Sequence, residues 1–269
     1  MRAGKAAAGI AVAFGAVVAT AGCSATAVTR AADSAEVLAA ALGKASDEAT
    51  GAGSAEIKVT TSGPQTGGKP VVVTGLYSWG NGLAMEGEIA AADVKMQKLV
   101  ADGTVTVRLV QGAYYYNIDP VPAGPLKGKS WLKLDASAVM GENGAAALKN
   151  GSNDPTAGLK LLKYAKGVSK VGKEDVNGKA ATHYHAKIST AELGDAAAIY
   201  QSMGGGATDL VADVWIDDKG MPARMTQAFG ALDTSMDFLS FGGAKEITAP
   251  PAAETADMTE MIKNRKPAA

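Results

Sequence analysis

The hydrophobic pattern changes period along the chain. Met1-Arg2-Ala3-Gly4-Lys5 is short and basic, and Ala6 to Ala19 is then apolar apart from Gly9 and Gly15. A basic start followed by a short apolar run is the pattern of a secretory leader. The run is too short to span a bilayer, which takes about 20 apolar residues. Ser24 to Ala32 is small and alanine-rich and predicts a flexible tether. Behind Asp33 and Ser34, either of which can cap a helix, Val37, Leu38, Ala41, Leu42 and Ala45 recur on one helical face. This predicts a helix from Ser34 to about Thr50, ended by Gly51 and Gly53.

From Ser54 the period becomes two. Strands are predicted over Ser54–Thr61, Val71–Trp79, Leu83–Ile89, Val94–Val100, Thr104–Val110 and Ala113–Ile118, separated by glycine-rich turns. Pro120 to Gly128 is a loop that delivers Ser130–Leu134 as a further strand. Ala136–Lys149 is then a weak helix, and Asp154-Pro155 starts a short one that carries Leu159, Leu162 and Tyr164 to about Lys166. Val168–Val176 and Lys179–Ile188 flank Asn177-Gly178, the preferred type I′ hairpin turn. Ser189 with Glu192 three residues on is a capping box for a helix bearing Leu193, Ala197 and Tyr200. Thr208–Ile216 and Met221–Phe229 pair across Asp217–Gly220, Ser235–Phe241 is the last strand, and a short helical turn is expected at Met258–Ile262. The sum is an α+β fold: a large antiparallel sheet of about ten or eleven strands with three or four helices on one face.

Composition narrows the function. Cys23 is the sole cysteine. Removing residues 1–22 leaves 247 residues, enough to bury a core. It also takes away two of the 26 basic residues and none of the 27 acidic ones, leaving a net charge of −3. That balance points away from nucleic acid, whose binders show a basic face.

The candidate chemistry is sparse. His183 and His185 lie at i and i+2 on one strand face and could share a metal, but no third or fourth ligand is evident. The alternation sets them opposite Tyr184, Ala186 and Ile188, towards solvent with Lys187. There is no G-x-S-x-G elbow. Ser202-Met203-Gly204-Gly205-Gly206 follows a helix instead of opening one, so it is no phosphate cradle. Asp217 and Asp218 read as turn residues, Asp213 as exposed, and Asp237 as a cross-strand partner of Arg224. The expectation is a protein that is not an enzyme and that uses no cofactor and no metal.

Val17-Val18-Ala19-Thr20-Ala21-Gly22-Cys23 resembles the lipobox of bacterial lipoproteins, departing from it in having Thr20 three positions before the cysteine. The resemblance implies that Cys23 carries a diacylglycerol and becomes the N-terminus, two acyl chains being enough for stable membrane anchoring. Three further patterns recur in order: Ala113-Tyr114-Tyr115-Tyr116 before Lys129-Ser130-Trp131-Leu132-Lys133-Leu134; the hairpin Val176-Asn177-Gly178 to Tyr184; and Asp213-Val214-Trp215-Ile216-Asp217-Asp218-Lys219-Gly220-Met221-Pro222-Ala223-Arg224. Together they resemble the actinobacterial lipoproteins of the LppX, LprA, LprF and LprG type, which share the fold of the carriers LolA and LolB. The resemblance implies a strongly curved half-barrel whose helices plug the concave side, with an apolar cavity for lipid chains between them.

On that resemblance, residues 1–22 are the signal peptide, 23–33 the lipidated cysteine and tether, 34–250 the half-barrel domain and 251–269 a tail. Leu38, Leu42, Leu210, Ala212, Val214, Met225, Phe229, Met236 and Phe238 are candidates to line the cavity, with Ala223 on the same face as Met225. The ten methionines suit an adaptable lining. The expected protein is a monomer on the outer face of the plasma membrane. It binds a lipid or glycolipid for transport or presentation, and an envelope transporter is a further candidate partner. The alternative is an envelope lipoprotein with a filled core that acts as scaffold or modulator of a partner protein.

Overall fold

A computed structural model describes residues 40–80, 82–149, 159, 162, 165, 168–193, 206–243 and 245–264. The leader, Cys23, the tether, Leu38 with the rest of the expected first helix before residue 40, most of Asp154–Lys166, and residues 194–205 lie outside the described residues.

The first described helix, α1, covers residues 40–52, and its buried positions Leu42, Ala45, Ser46 and Ala49 form one stripe. It stops at Gly53, which turns the chain into a left-handed conformation at φ 67°. Five strands then follow as a meander: β1 (Ser54–Ser62), β2 (Val71–Ser78), β3 (Ala84–Ala90), β4 (Thr104–Val110) and β5 (Ala113–Asn117). The sixth, β6 (Trp131–Asp135), leads into α2 (Ala136–Lys149), a helix broken at Gly141. A second meander comprises β7 (Ser169–Val176), β8 (Lys179–Ser189), β9 (Asp209–Asp217), β10 (Pro222–Phe229) and β11 (Leu232–Phe241). The chain ends in β12 (Thr255–Asp257) and α3 (Thr259–Lys263).

The 12 strands of the described residues join one sheet in the order β12-β6-β5-β4-β3-β2-β1-β11-β10-β9-β8-β7. The two meanders meet where β1 pairs with β11, antiparallel from Ala55↔Phe241 to Ser62↔Asp233. β12 lies parallel to β6, and the other strand pairings are antiparallel. The fold is the expected α+β type: a large, open, curved sheet with helices on its inner face, counting 12 strands where the alternation predicts ten or eleven. Asn177 and Gly178 both have positive φ, 54° and 75°, as the type I′ turn between β7 and β8 requires.

Several expectations need correction. Val94–Val100 is a run of turns, because its backbone bonds are satisfied locally: Met96 N–H donates to the Ala91 carbonyl and Leu99 N–H to that of Met96. Met96 and Val100 still reach the core from that loop. The capping box at Ser189 forms, with Glu192 accepting from Ser189 N–H at 3.2 Å, and the described part that it opens is a 3₁₀ turn over Thr190–Glu192, Ala197 and Tyr200 of the expected helix lying outside the described residues. The alternation missed β12, whose three residues are too few to show a period.

Three buried clusters cover the inner face, the smallest of which sets Ala136 and Ala145 of α2 on Leu109 of β4, with Met85 and Tyr114 packed against it. Over β8–β11 and β1, Leu42 and Ala45 of α1 pack with Leu159, Leu162 and Leu193 onto Ile57, Ile188, Leu210, Val214, Phe229 and Phe238. Over β3 and β4, the loop residues Ala91, Met96, Val100 and Ile118 pack onto Ile89, Val105 and Val107.

Candidate functional site

Bordering these clusters, the inner face carries a row, or band, of apolar side chains that, apart from the buried Leu109, are only half buried. Met236, Val59 and Val73 are successive partners across β11, β1 and β2. Four residues further along β2, Tyr77 is opposite Met85 of β3, and Met85 is opposite Leu109 of β4. Leu109 in turn is opposite Tyr114 of β5, and Tyr116 is opposite Leu132 of β6. Alternation places all of them on one face. In the middle of the band, Gly75 and Gly87 are partners on β2 and β3, so the floor has no side chain there.

The band is a low-dielectric surface. Burial pushes the Tyr114 phenol up, and burial together with the neighbouring Tyr114 pushes that of Tyr116 up to about 12. The two rings stack with centroids 6.4 Å apart. Each offers a hydroxyl on an otherwise apolar wall.

The residues proposed from sequence gather next to this band. Leu42, Leu210, Ala212, Val214, Met225, Phe229 and Phe238 all belong to the buried cluster under α1, and Met236 packs half-exposed at its border. Ala223 is on the opposite face, in a small cluster with Val176, Ala181 and Trp215. A register shift between Pro222 and Arg224 moves it there. Val59, Val73, Gly75, Tyr77, Met85, Gly87, Tyr114 and Tyr116 are not among the cavity candidates proposed from sequence. The signal was present in the alternation Val71, Val73, Gly75, Tyr77 and in the Tyr114/Tyr116 pair two residues apart.

A cleft of about 730 Å³ lies at the rim where β2, β3 and β4 end, lined by Ser78, Leu83, Leu109, Gln111 and residues 245–249. The strap 245–249 is tied down by Arg108, whose guanidinium donates to the Thr248 carbonyl at 3.3 Å, ion-pairs with Glu86 and sits 4.9 Å above the Trp131 ring.

The outer face holds the polar chemistry. His183 and His185 do project there, but with carboxylates at both ring nitrogens of His183. Its Nδ1 is 2.8 Å from Glu174 Oε1 and its Nε2 2.7 Å from Asp213 Oδ1. His185 Nδ1 is 2.9 Å from the same Asp213 oxygen, so Asp213 is a half-buried acceptor and not the exposed residue expected. Among the described residues, no three His, Cys, Asp or Glu side chains are set to hold a metal ion. The expected Arg224–Asp237 pair forms, with Asp237 buried. Among the described residues, no helix is long and apolar enough to cross a membrane.

An open, strongly curved half-barrel with an apolar inner band is the class of fold that these observations define. No protein-family model matches the chain. It is similar to a 31.2 kDa protein of Streptomyces griseus from the rplA–rplJ intergenic region, 28% identical over 246 residues, covering 83% of this chain and 80% of that one. A lipoprotein candidate of Streptomyces coelicolor, SCO4650, is 26% identical over 232 residues, covering 81% and 75%. Among solved structures, LprF from Mycobacterium bovis superposes with a TM-score of 0.53 at 14% identity, covering 79% of this chain and 96% of that one. LppX from Mycobacterium tuberculosis superposes with a TM-score of 0.53 at 15% identity, covering 79% and 99%. The chain has the half-barrel fold of the LppX- and LprF-type lipoproteins, as its sequence motifs imply.

Proposed function

We propose that the protein is an extracytoplasmic lipoprotein, anchored through Cys23, that takes up acyl chains of a lipid along the inner face of its half-barrel. The observation that carries this reading is the half-buried apolar band from Met236 through Val59, Val73, Tyr77 and Met85 to Tyr116. Side chains in a finished core pack to high density with few voids. An apolar strip that packs on the core yet stays partly exposed inside a curved sheet is a surface that can take further apolar contact. The basic and apolar leader, the lone Cys23 and the likeness to a Streptomyces coelicolor lipoprotein candidate support the membrane anchor. The fold shared with LprF and LppX supports the half-barrel as the carrying element.

The driving force is burial of hydrocarbon, about 0.8 kcal/mol per methylene taken out of water. A chain already in a bilayer gains little by moving. The protein therefore lowers the barrier for a chain to cross water, while Cys23 keeps the carrier at the membrane surface. Release then needs a membrane or a partner protein.

The test is native mass spectrometry of the chain from Ser24 onward, produced in a bacterial host, followed by solvent extraction. A discrete adduct that extracts as lipid is the expected result. A bare mass, unchanged after incubation with phospholipid vesicles, overturns the carrier reading and favours the scaffold with a filled core.

A further inference from the structure

The outer-face cluster on β7, β8 and β9 has no place in acyl-chain uptake, and its hydrogen bonding depends on a protonation state. Both ring nitrogens of His183 lie within 2.8 Å of a carboxylate oxygen, Glu174 on one side and Asp213 on the other. A carboxylate only accepts, so both bonds exist only if both nitrogens carry hydrogen. Neutral His183 satisfies one and turns a lone pair on the other carboxylate. Glu174 also accepts from Trp215 Nε1 at 2.8 Å through its second oxygen, so one side chain on β7 is tied to β8 and, across it, to β9. His183 and Trp215 stack at 4.2 Å, and the Arg224 guanidinium is 6.0 Å from the Trp215 ring and paired with Asp237. The other charged groups nearby are His185, bonded to Asp213, and Lys173, paired with Asp218.

β7 has few other ties. Among the described residues it is the edge of the sheet and pairs with β8 alone, and Val176 is its single buried residue. Its pairing with β8 is broken by a register shift between Lys170 and Gly172. An edge strand with so little buried surface stands at the low end of local stability.

We propose that His183, held as an imidazolium between Glu174 and Asp213, is a proton-operated latch that fastens edge strand β7 to the sheet and releases it when the proton is lost. The sign follows from the charges. The imidazolium's second bond is present while both ring nitrogens carry hydrogen and is lost when base removes one of them. Glu174 is held below its ordinary value, first by the Trp215 bond and then by His183, so its half of the latch fails only well on the acid side. The latch is closed between these limits. This inference is independent of acyl-chain binding.

The experiment uses the intact protein with 15N-labelled histidine. The chain has two histidines, so a His185→Asn variant assigns the ring signals of His183. Hydrogen exchange of a β7 peptide is followed beside one from β4, whose rate corrects for the chemical effect of pH. At pH 6 both His183 nitrogens are expected at imidazolium shifts. At pH 8.5 β7 is expected to exchange about tenfold faster relative to β4, the scale of one charge-assisted hydrogen bond. His183→Gln is expected to exchange fast at both pH values. Glu174→Gln keeps an oxygen for Trp215 and is expected to loosen β7 at a lower pH than the wild type. Neutral-imidazole shifts at pH 6, or a β7-to-β4 ratio that ignores pH in the wild type, overturn the proposal.

Discussion

Gly75 and Gly87 face each other across β2 and β3 with no room for a side chain between the strands. A Cβ built on Gly75 would lie 2.1 Å from the Glu86 carbonyl oxygen and 2.4 Å from Gly87 Cα, and one on Gly87 would lie 2.9 Å from Val73 Cγ1. The pair lets two backbones approach in the middle of a sheet, a place where glycine otherwise weakens a strand. It also leaves the centre of the apolar inner band bare.

Gly75→Ala is therefore expected to cost about 2–4 kcal/mol, because the obstruction is backbone and can be relieved only by moving β3. Gly172, on edge strand β7, has nothing within 4 Å of the position a Cβ would take. Gly172→Ala is expected to stay within about 0.5 kcal/mol of the wild type. Denaturant titration of both variants checks the contrast, and equal stabilities would mean that β2 and β3 can separate freely.

The band and the core under α1 are expected to respond differently to truncation. Phe238 is fully buried and stacks on Phe241 at 5.2 Å. Phe238→Ala should cost about 3–5 kcal/mol. Met85 is half-buried, so Met85→Ala should cost about 1 kcal/mol. Its larger effect is expected on lipid adducts, which should fall in native mass spectra. If Met85→Ala destabilises as much as Phe238→Ala, the band is core.

How much of this was legible in the sequence depended on whether a signal was local. Two-residue alternation is a local property, so the strands from Ser54 to Phe241 could be placed, and Asn177-Gly178 announced its turn. Val94–Val100 misled because Val94, Met96, Leu99 and Val100 are apolar enough for a strand, whereas the chain spends its hydrogen bonds within the loop. The face occupied by Ala223 depended on a register shift beside Pro222, which alternation cannot reveal. The apolar faces of β9, β10 and β11 could be named, but not which parts of them α1 would seal. Gly75 and Gly87 are 12 positions apart, and only the pairing of β2 with β3 makes them one feature. Glu174 meets Trp215 across an intervening strand, a relation set by the order of the sheet.

The C-terminal clip is expected to loosen in acid. Lys133 Nζ donates to Asp257 at 2.8 Å, and Thr259 N–H donates to the same carboxylate at 3.0 Å. Burial raises the Asp257 value, but the bonds from Lys133 and Thr259 outweigh it and hold the group down at about 2, against an ordinary 3.8. A lowered carboxylate contributes stability above its unfolded value and loses it as pH falls through the folded one. The clip should thus weaken between about pH 4 and pH 2. The side chain is about half exposed, so the contribution stays under about 1 kcal/mol. Asp257→Asn should abolish the pH dependence of protease cleavage around Pro250 in that window, and an unchanged profile would assign the effect to another carboxylate.

Arg224 and Asp237 pair across β10 and β11 with the carboxylate buried and the guanidinium a third exposed. The hydrogen bond from Arg224 to Asp237 raises the Arg224 value, which places the guanidinium as the charge partner that permits Asp237 to be buried. Arg224→Leu removes that partner and leaves a desolvated carboxylate, at a cost of about 1–3 kcal/mol. Arg224→Lys should recover part of this, since an ammonium keeps the charge but lacks the planar donor fork beside the Trp215 ring. Asp237→Leu in the Arg224→Leu background should be more stable than Arg224→Leu alone, because replacing both partners by apolar groups removes the unpaired charge. A double-mutant cycle by thermal or denaturant unfolding isolates the pairwise term. Strictly additive single and double variants would show that Asp237 finds water or another donor in place of Arg224.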